Sequence, residues 1–290
     1  MKLKEVLDRT IEFFKEKKIE TPRLDAEILF ADALGLKGRV DIYLQYEKPL
    51  KEEELQRCRE TVKRRAAGEP VAYILGKKDF YGYSFSVGPG VLIPRPETEL
   101  LVEKAIQWLQ ANKLDSLEYS PKILDMGCGS GCIGYSILKS IPGARLVSIE
   151  KSPEAVAIAK ANAEKLGLIS QVEILGSDCD EITFSQESFD VIVANPPYIS
   201  TSDTRVDEEV RKFEPASALF AENEGLQFLE AWSSRASSWL KRPGFMGFEM
   251  GFEQGKKMKE HFQSIEKFDS ISIVKDLAGL DRHIIGVRHG

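Results

Sequence analysis

The tetrapeptide Asn195-Pro196-Pro197-Tyr198 directly follows the apolar run Val191-Ile192-Val193-Ala194. That spacing predicts an amide, two rigid backbone units and an aromatic ring at the C-terminal tip of a buried strand, the edge where open α/β sheets bind ligands. Proline fixes φ and has no N–H, so the Asn195 side chain and the carbonyls around Pro196 are held as outward-facing acceptors instead of joining a ladder. Acceptors so placed suit a planar nitrogen that carries hydrogens. The plainer alternative is an ordinary Pro-Pro strand end.

A second feature is Lys122-Ile123-Leu124-Asp125-Met126-Gly127-Cys128-Gly129-Ser130-Gly131, a short apolar strand entering a glycine loop and then the helical stretch from Cys132 to Leu138. Glycines let backbone approach a ligand closely, and a helix N-terminus adds unpaired N–H groups. The third glycine of a dinucleotide fingerprint would fall at Cys132, so a nicotinamide reading fits poorly. Glu150 comes nineteen residues past Gly131, after the apolar stretch 144–149. A carboxylate at the tip of that second strand is placed to accept both hydroxyls of a ribose. Glu150 reads equally as a solvated residue opening the next helix, where Ser152, Pro153 and Glu154 look like a cap and first turn.

Together these motifs resemble the class I methyltransferases that use S-adenosylmethionine, and within them the HemK-type glutamine methyltransferases that modify peptide chain release factors. Three further segments carry the resemblance: Gly68-Glu69-Pro70-Val71-Ala72-Tyr73-Ile74-Leu75-Gly76, Leu92-Ile93-Pro94-Arg95-Pro96-Glu97-Thr98-Glu99, and Lys275-Asp276-Leu277-Ala278-Gly279-Leu280-Asp281-Arg282. Pro94-Arg95-Pro96-Glu97-Thr98 is the most specific, and it looks like the release factor branch more than the ribosomal protein branch. The chain departs from the commonest family pattern at Glu150, where aspartate is more usual, and at Cys179, where a bulkier residue is common. Glutamate still accepts two hydrogen bonds, so ribose binding survives the first change.

The resemblance implies a cofactor site of Asp125, Gly127, Cys128, Gly129, Ser130, Gly131, Glu150, Asp178, Cys179 and Asn195, with S-adenosylmethionine as cofactor. Asp125 would orient the loop or take the cofactor's ammonium, and Asp178 would accept from the adenine amino group; each could instead cap a helix or turn. Asn195, Pro196, Pro197 and Tyr198 would bind the substrate glutamine, with Asn195, Pro196 and Tyr198 catalytic. A glutamine amide nitrogen is a poor nucleophile because its lone pair is delocalised into the carbonyl, so the enzyme must act by placement. Near-attack positioning of this kind is worth ~7 to 11 kcal/mol of barrier. Tyr198 would flank the amide plane, or simply pack in the core. The roles of Arg95, Glu97 and Glu249 stay open, and no catalytic base or metal is expected.

The elements that must position these residues divide near residue 85. Helical periodicity at Val6, Ile11, Phe13 and Phe14, again over 25–34, and over 52–67 predicts an N-terminal helical bundle. Alternation with glycines over 79–93 suggests a hairpin. From Glu97 onward strands and helices alternate, the signature of a doubly wound α/β sheet. Strands are expected at 122–125, 146–150, 172–175, 189–194, 245–250, 271–275 and 283–287, the last two as an antiparallel edge pair. The result is a mostly parallel seven-stranded sheet, with domains 1–78 (helical, substrate-binding), 79–96 (hairpin linker) and 97–290 (catalytic). The polar stretch 200–215 reads as a loop over the site.

A composition of 42% hydrophobic and 30% charged residues is normal for a soluble globular protein. The absence of an 18-residue apolar run or a signal h-region points to a cytoplasmic protein with no membrane span. Four cysteines, at 58, 128, 132 and 179, make no disulfide framework in a chain of 290. With no histidine near Cys128 and Cys132 in sequence, small-residue packing explains that pair better than metal. The rival function is a DNA adenine methyltransferase, whose target is also an exocyclic amino group. DNA recognition needs cationic surface, whereas the formal net charge is -6. The basic cluster Lys63-Arg64-Arg65 reads as a solvated helix face or a protein-docking point. A fold-retaining adaptor without chemistry is the third class, which the retained Asp125, glycine loop, Glu150 and Asn195 argue against. The expected partners are release factors, and the chain is expected to be a monomer.

Overall fold

The apolar run Phe189–Ala194 forms a strand buried along its whole length, as a central strand covered on both faces requires. The computed structural model describes residues 1–115 and 119–290. Its strands are β1 (Lys77–Phe80), β2 (Tyr83–Ser86), β3 (Lys122–Met126), β4 (Arg145–Ile149), β5 (Val172–Leu175), β6 (Phe189–Ala194), β7 (Ile199–Ser200), β8 (Phe220–Ala221), β9 (Leu240–Glu249), β10 (Ser270–Lys275) and β11 (Asp281–Arg288). Seven of them make one sheet in the order β10-β11-β9-β6-β3-β4-β5. β3, β4, β5, β6 and β9 are parallel, and β11 is antiparallel to both β9 and β10. The expected antiparallel pair therefore forms, but β11 lies inside the sheet and β10 alone takes the edge.

Side chains alternate faces along these strands, and two apolar layers result. Ile123, Val191, Val193 and Phe245 pack against helices Glu99–Ala111, Cys132–Ser140 and Pro153–Lys165. Leu124, Ile192, Ala194 and Met246 pack against helices Gln227–Ser237 and Gly255–Ser264. β9 begins five residues before the expected 245 because its pairing with β6 is irregular: Phe189 faces Leu240 while Val191 faces Phe245. Lys241 to Gly244 are absorbed in that shift, and a bulge is where a strand tolerates proline such as Pro243.

The chain divides into two compact units, residues 1–77 with 208–213, and residues 78–207 with 214–290. The hairpin expected as a linker has its Phe80 and Phe85 in the apolar core of the larger unit. In the smaller unit, helices Leu3–Glu16, Pro22–Ala33 and Glu52–Ala66 bury Leu3, Leu7, Phe14, Leu29, Phe30 and Leu55. Phe13, expected in that stripe, is exposed instead, one position round the helix from Phe14. Short helices Arg39–Leu44, Val71–Leu75 and Glu208–Phe213 are additions the sequence did not signal. Each has six residues or fewer, too short to show a period. Within the basic cluster, Arg65 is only 6% exposed and bonds Asp25 and Glu209 at 2.6 Å each, while Arg64 pairs with Glu69 at 2.5 Å.

Candidate active site

Strand register sets the site. Met126 pairs with both Ala194 and Ile149, Ile149 with Leu175, and Ala194 with Phe248. The residues that come next, Gly127, Glu150, Asn195 and Glu249, therefore stand along one edge of the sheet. From β3 the chain winds outward through β4 and β5, then returns to place β6 on the other flank of β3. That reversal is the switch point at which open α/β sheets hold ligands.

A cavity of about 920 Å³ opens there. Of the expected residues, Gly127, Cys128, Gly129, Ser130, Glu150, Asp178, Cys179, Asn195 and Pro197 line it; Asp125, Gly131, Pro196 and Tyr198 do not. Sequence reasoning missed Phe228 and Trp232, which form part of the wall from helix Gln227–Ser237 with their rings 5.5 Å apart. Thr98, Pro94 and Arg95 also reach it. Glu214 holds that segment by accepting from the Ile93 N–H at 3.0 Å and from Arg95 at 2.5 Å. Glu97, by contrast, is exposed.

Within the loop itself, four backbone N–H groups are paired. The amides of Gly127 and Cys128 donate to the Ile149 carbonyl, and those of Gly129 and Gly131 to Glu150 Oε2 and the Cys128 carbonyl. The loop thus offers close backbone approach more than free donors. Gly131 has φ 82°, and a Cβ there would lie 2.3 Å from the Tyr135 ring, so the turn into the helix demands glycine. Glu150 lines the cavity while Oε1 accepts from the Ser152 N–H at 2.9 Å and Oε2 from Gly129. Each carboxylate oxygen retains a further lone pair for a ligand hydroxyl.

Asp125 stands behind the loop, 1% exposed, with Oδ2 accepting from the Gly134 N–H at 3.0 Å. Burial pushes its carboxyl up to about 7, with the Gly134 N–H pulling the other way. Asp178 lies 3.5 Å from the Lys151 ammonium, whose nitrogen is 5.7 Å from the centre of the Phe228 ring. Burial raises the thiols of Cys128, Cys132 and Cys179, so all three act as small neutral packing groups.

Asn195 closes the cavity on the β6 side. Its Nδ2 donates to the Thr98 hydroxyl at 3.4 Å, and its Oδ1 is buried without a hydrogen-bond partner. Thr98 in turn donates to Glu249 Oε2 at 2.5 Å, and the Tyr198 hydroxyl donates to Glu249 Oε1 at 3.0 Å. His283 Nε2 approaches Oε2 to 3.6 Å, as the β9–β11 register that pairs His283 with Glu249 dictates. Burial alone would raise the Glu249 carboxyl; contact with His283 and the two hydroxyls outweighs it and holds the carboxyl below its ordinary range. Burial and the neighbouring Glu249 charge raise the Tyr198 phenol.

Tyr198 faces a second cavity, about 1580 Å³, shared with Arg205, Phe252, Gln254 and Arg282. Its backbone carbonyl accepts from Gln254 Nε2 at 2.9 Å. Gly225, at φ 84°, lies so close that a Cβ would come within 2.1 Å of that carbonyl oxygen.

The sheet order and the ligand edge beside a glycine loop define a class I methyltransferase fold. Residues 5–76 match the PrmC N-terminal domain family and residues 102–241 the Methyltransferase small domain family. The chain is 39% identical to the release factor glutamine methyltransferase of Chlorobaculum tepidum, over 96% of this chain and 94% of that one. It is 38% identical to that of Geobacter sulfurreducens, over 99% and 97%. By sequence, the chain belongs to the release factor glutamine methyltransferase family. The solved catalytic domain of hMettl16 in complex with MAT2A 3'UTR hairpin 6 shares the fold, with a TM-score of 0.53 at 16% identity over 82% of each chain. Among the described residues no helix is long and apolar enough to cross a membrane.

Proposed function

We propose that this protein methylates the side-chain amide nitrogen of the glutamine in the Gly-Gly-Gln motif of peptide chain release factors. The observation that carries the reading is Asn195 Oδ1, a buried acceptor with no partner, on the wall of the cavity that begins at the glycine loop. A buried acceptor left unsatisfied costs about 1–3 kcal/mol, and the N–H of an incoming amide would relieve it.

S-adenosylmethionine, when bound, supplies a methyl group on a sulfonium. The cavity residues fit it: the close backbone of Gly127 and Gly129, the acceptors of Glu150 for hydroxyls, Asp178 for an amino group, and the Phe228 and Trp232 rings for apolar surface. Asn195 Oδ1 and the Pro196 carbonyl would each accept one N–H of the glutamine and aim its nitrogen. Acceptors that hold those hydrogens better as the nitrogen pyramidalises stabilise the transition state in particular. We place the approach of the release factor at the second cavity, with Tyr198 covering the amide plane. The family match over 5–76 supports giving the smaller unit the task of holding the factor elsewhere on its surface. The reading makes the protein cytoplasmic, where translation factors are found. The pairing of Arg64 and Arg65 and the net charge of -6 disfavour a DNA substrate.

The test is methyl transfer from labelled S-adenosylmethionine to a release factor, to the same factor with the Gly-Gly-Gln glutamine replaced, and to duplex DNA. Label on the intact factor alone is the expected outcome; label on DNA, or on the replaced factor equally, overturns the reading.

A further inference from the structure

Glu249 is buried at 1% exposure, yet it lines neither cavity and touches no expected ligand. We propose that Glu249, acting through Thr98, fixes which end of the Asn195 amide faces the acceptor and so makes the site select an amide over a carboxylate. The inference rests on the proposed glutamine substrate.

Hydrogen-bond direction sets the orientation of the amide. An ionised carboxylate only accepts, and a threonine hydroxyl has a single proton. Thr98 lies 2.5 Å from Glu249 Oε2, so its proton is committed there. The Thr98 oxygen can then only accept, and the group facing it is the Asn195 amide at 3.4 Å. That contact is satisfied by the NH2 end and would be a repulsion of lone pairs with the carbonyl end. Oδ1 is therefore the end left without a partner. Tyr198 is bound by the same logic on Oε1, so one buried carboxylate orders two groups of the Asn195–Tyr198 motif. A glutamine side chain meets Oδ1 with an N–H; a glutamate in its place would bring an oxygen against an oxygen.

Glu249 and Thr98 are positioning residues on this account. The sheet presents them together because Glu249 ends β9 while Thr98 precedes the helix Glu99–Ala111, and Asn195 lies between them at the end of β6. Glutamine at 249 can donate as well as accept, which releases Thr98 from its fixed direction and lets the Asn195 amide turn. Valine at 98 removes the hydroxyl and frees the amide in another way.

The experiment uses the full-length protein with two forms of release factor, one with the Gly-Gly-Gln glutamine and one with glutamate there. Turnover is measured on the first, and the second is titrated as a competitor. Wild type is expected to methylate the glutamine factor and to bind the glutamate factor poorly. In Glu249→Gln and in Thr98→Val, turnover on the glutamine factor should fall about tenfold or more, while the glutamate factor becomes a tighter competitor by several-fold. Thr98→Ser should restore both wild-type values. Opposite movement of the two factors cannot come from a generally loosened site. Parallel weakening of both, or unchanged discrimination in folded variants, overturns the inference. Failure of wild type to label the glutamine factor would sink the functional reading itself, and is seen before any variant is made.

Discussion

The two sides of the cavity are built on different principles. Around the glycine loop, the contacts that fix shape are backbone amides bonded to backbone carbonyls and to Glu150. Around Asn195, the contacts are between side chains, and each depends on the next: Asn195 on Thr98, Thr98 and Tyr198 on Glu249. A wall held by backbone bonds tolerates exchange of the side chains that take no part in them. A chain of buried side-chain bonds has no such slack, because removing one member leaves the others unsatisfied.

The contrast makes graded predictions. Asn195→Ala should cut turnover about a hundredfold or more with the fold largely kept; near-normal turnover would break the contrast outright. Gly225→Ala should come next. Its Cβ would press on the Tyr198 carbonyl and its left-handed backbone costs about 1–2 kcal/mol for an L-residue. Both turnover and thermal stability should drop, and a variant as stable and active as wild type would show that Tyr198 has room to shift. On the loop side, Glu150→Ala should weaken S-adenosylmethionine binding by roughly tenfold with kcat at saturation largely kept. Calorimetry giving an unchanged dissociation constant would remove Glu150 from ribose binding.

The smallest effect belongs to Asp125. Its carboxyl is pushed from 3.8 up to about 7. Below the ordinary value it is neutral in both folded and unfolded chains. Between the two values the folded protein retains a proton that the unfolded chain has released, so stability falls as pH rises through that window and levels off above it. Asp125→Asn lacks this slope. Its melting temperature should therefore gain on wild type by a few degrees between about pH 4 and pH 7, and parallel curves would show that the carboxyl is not perturbed.

Much of the architecture was legible because it rests on local pattern. The apolar runs at 122–125, 172–175 and 189–194 became strands, and glycines followed by a helix became the loop. What stayed hidden depends on packing between distant elements. Thr98 and Glu249 are 151 positions apart and meet because the helix Glu99–Ala111, which Thr98 precedes, packs against β9. Trp232 looked like any apolar residue of an amphipathic helix, and nothing in its spacing marked it as the wall facing Gly127. Tyr198 was expected beside the amide acceptor, but its hydroxyl is drawn to Glu249, which no local pattern foretold.

The way the chain threads its two units bears on how the protein could be taken apart. Helix Glu208–Phe213 groups with residues 1–77 although its chain neighbours on both sides do not, so the polypeptide passes from one unit to the other three times. A fragment ending at residue 77 would lack Glu209, one of the two carboxylates that hold the Arg65 guanidinium. Dividing this protein by sequence and dividing it by structure are thus different operations. A fragment designed the first way would leave a buried cation with one carboxylate in place of two, and would need the 208–213 segment spliced back to be whole.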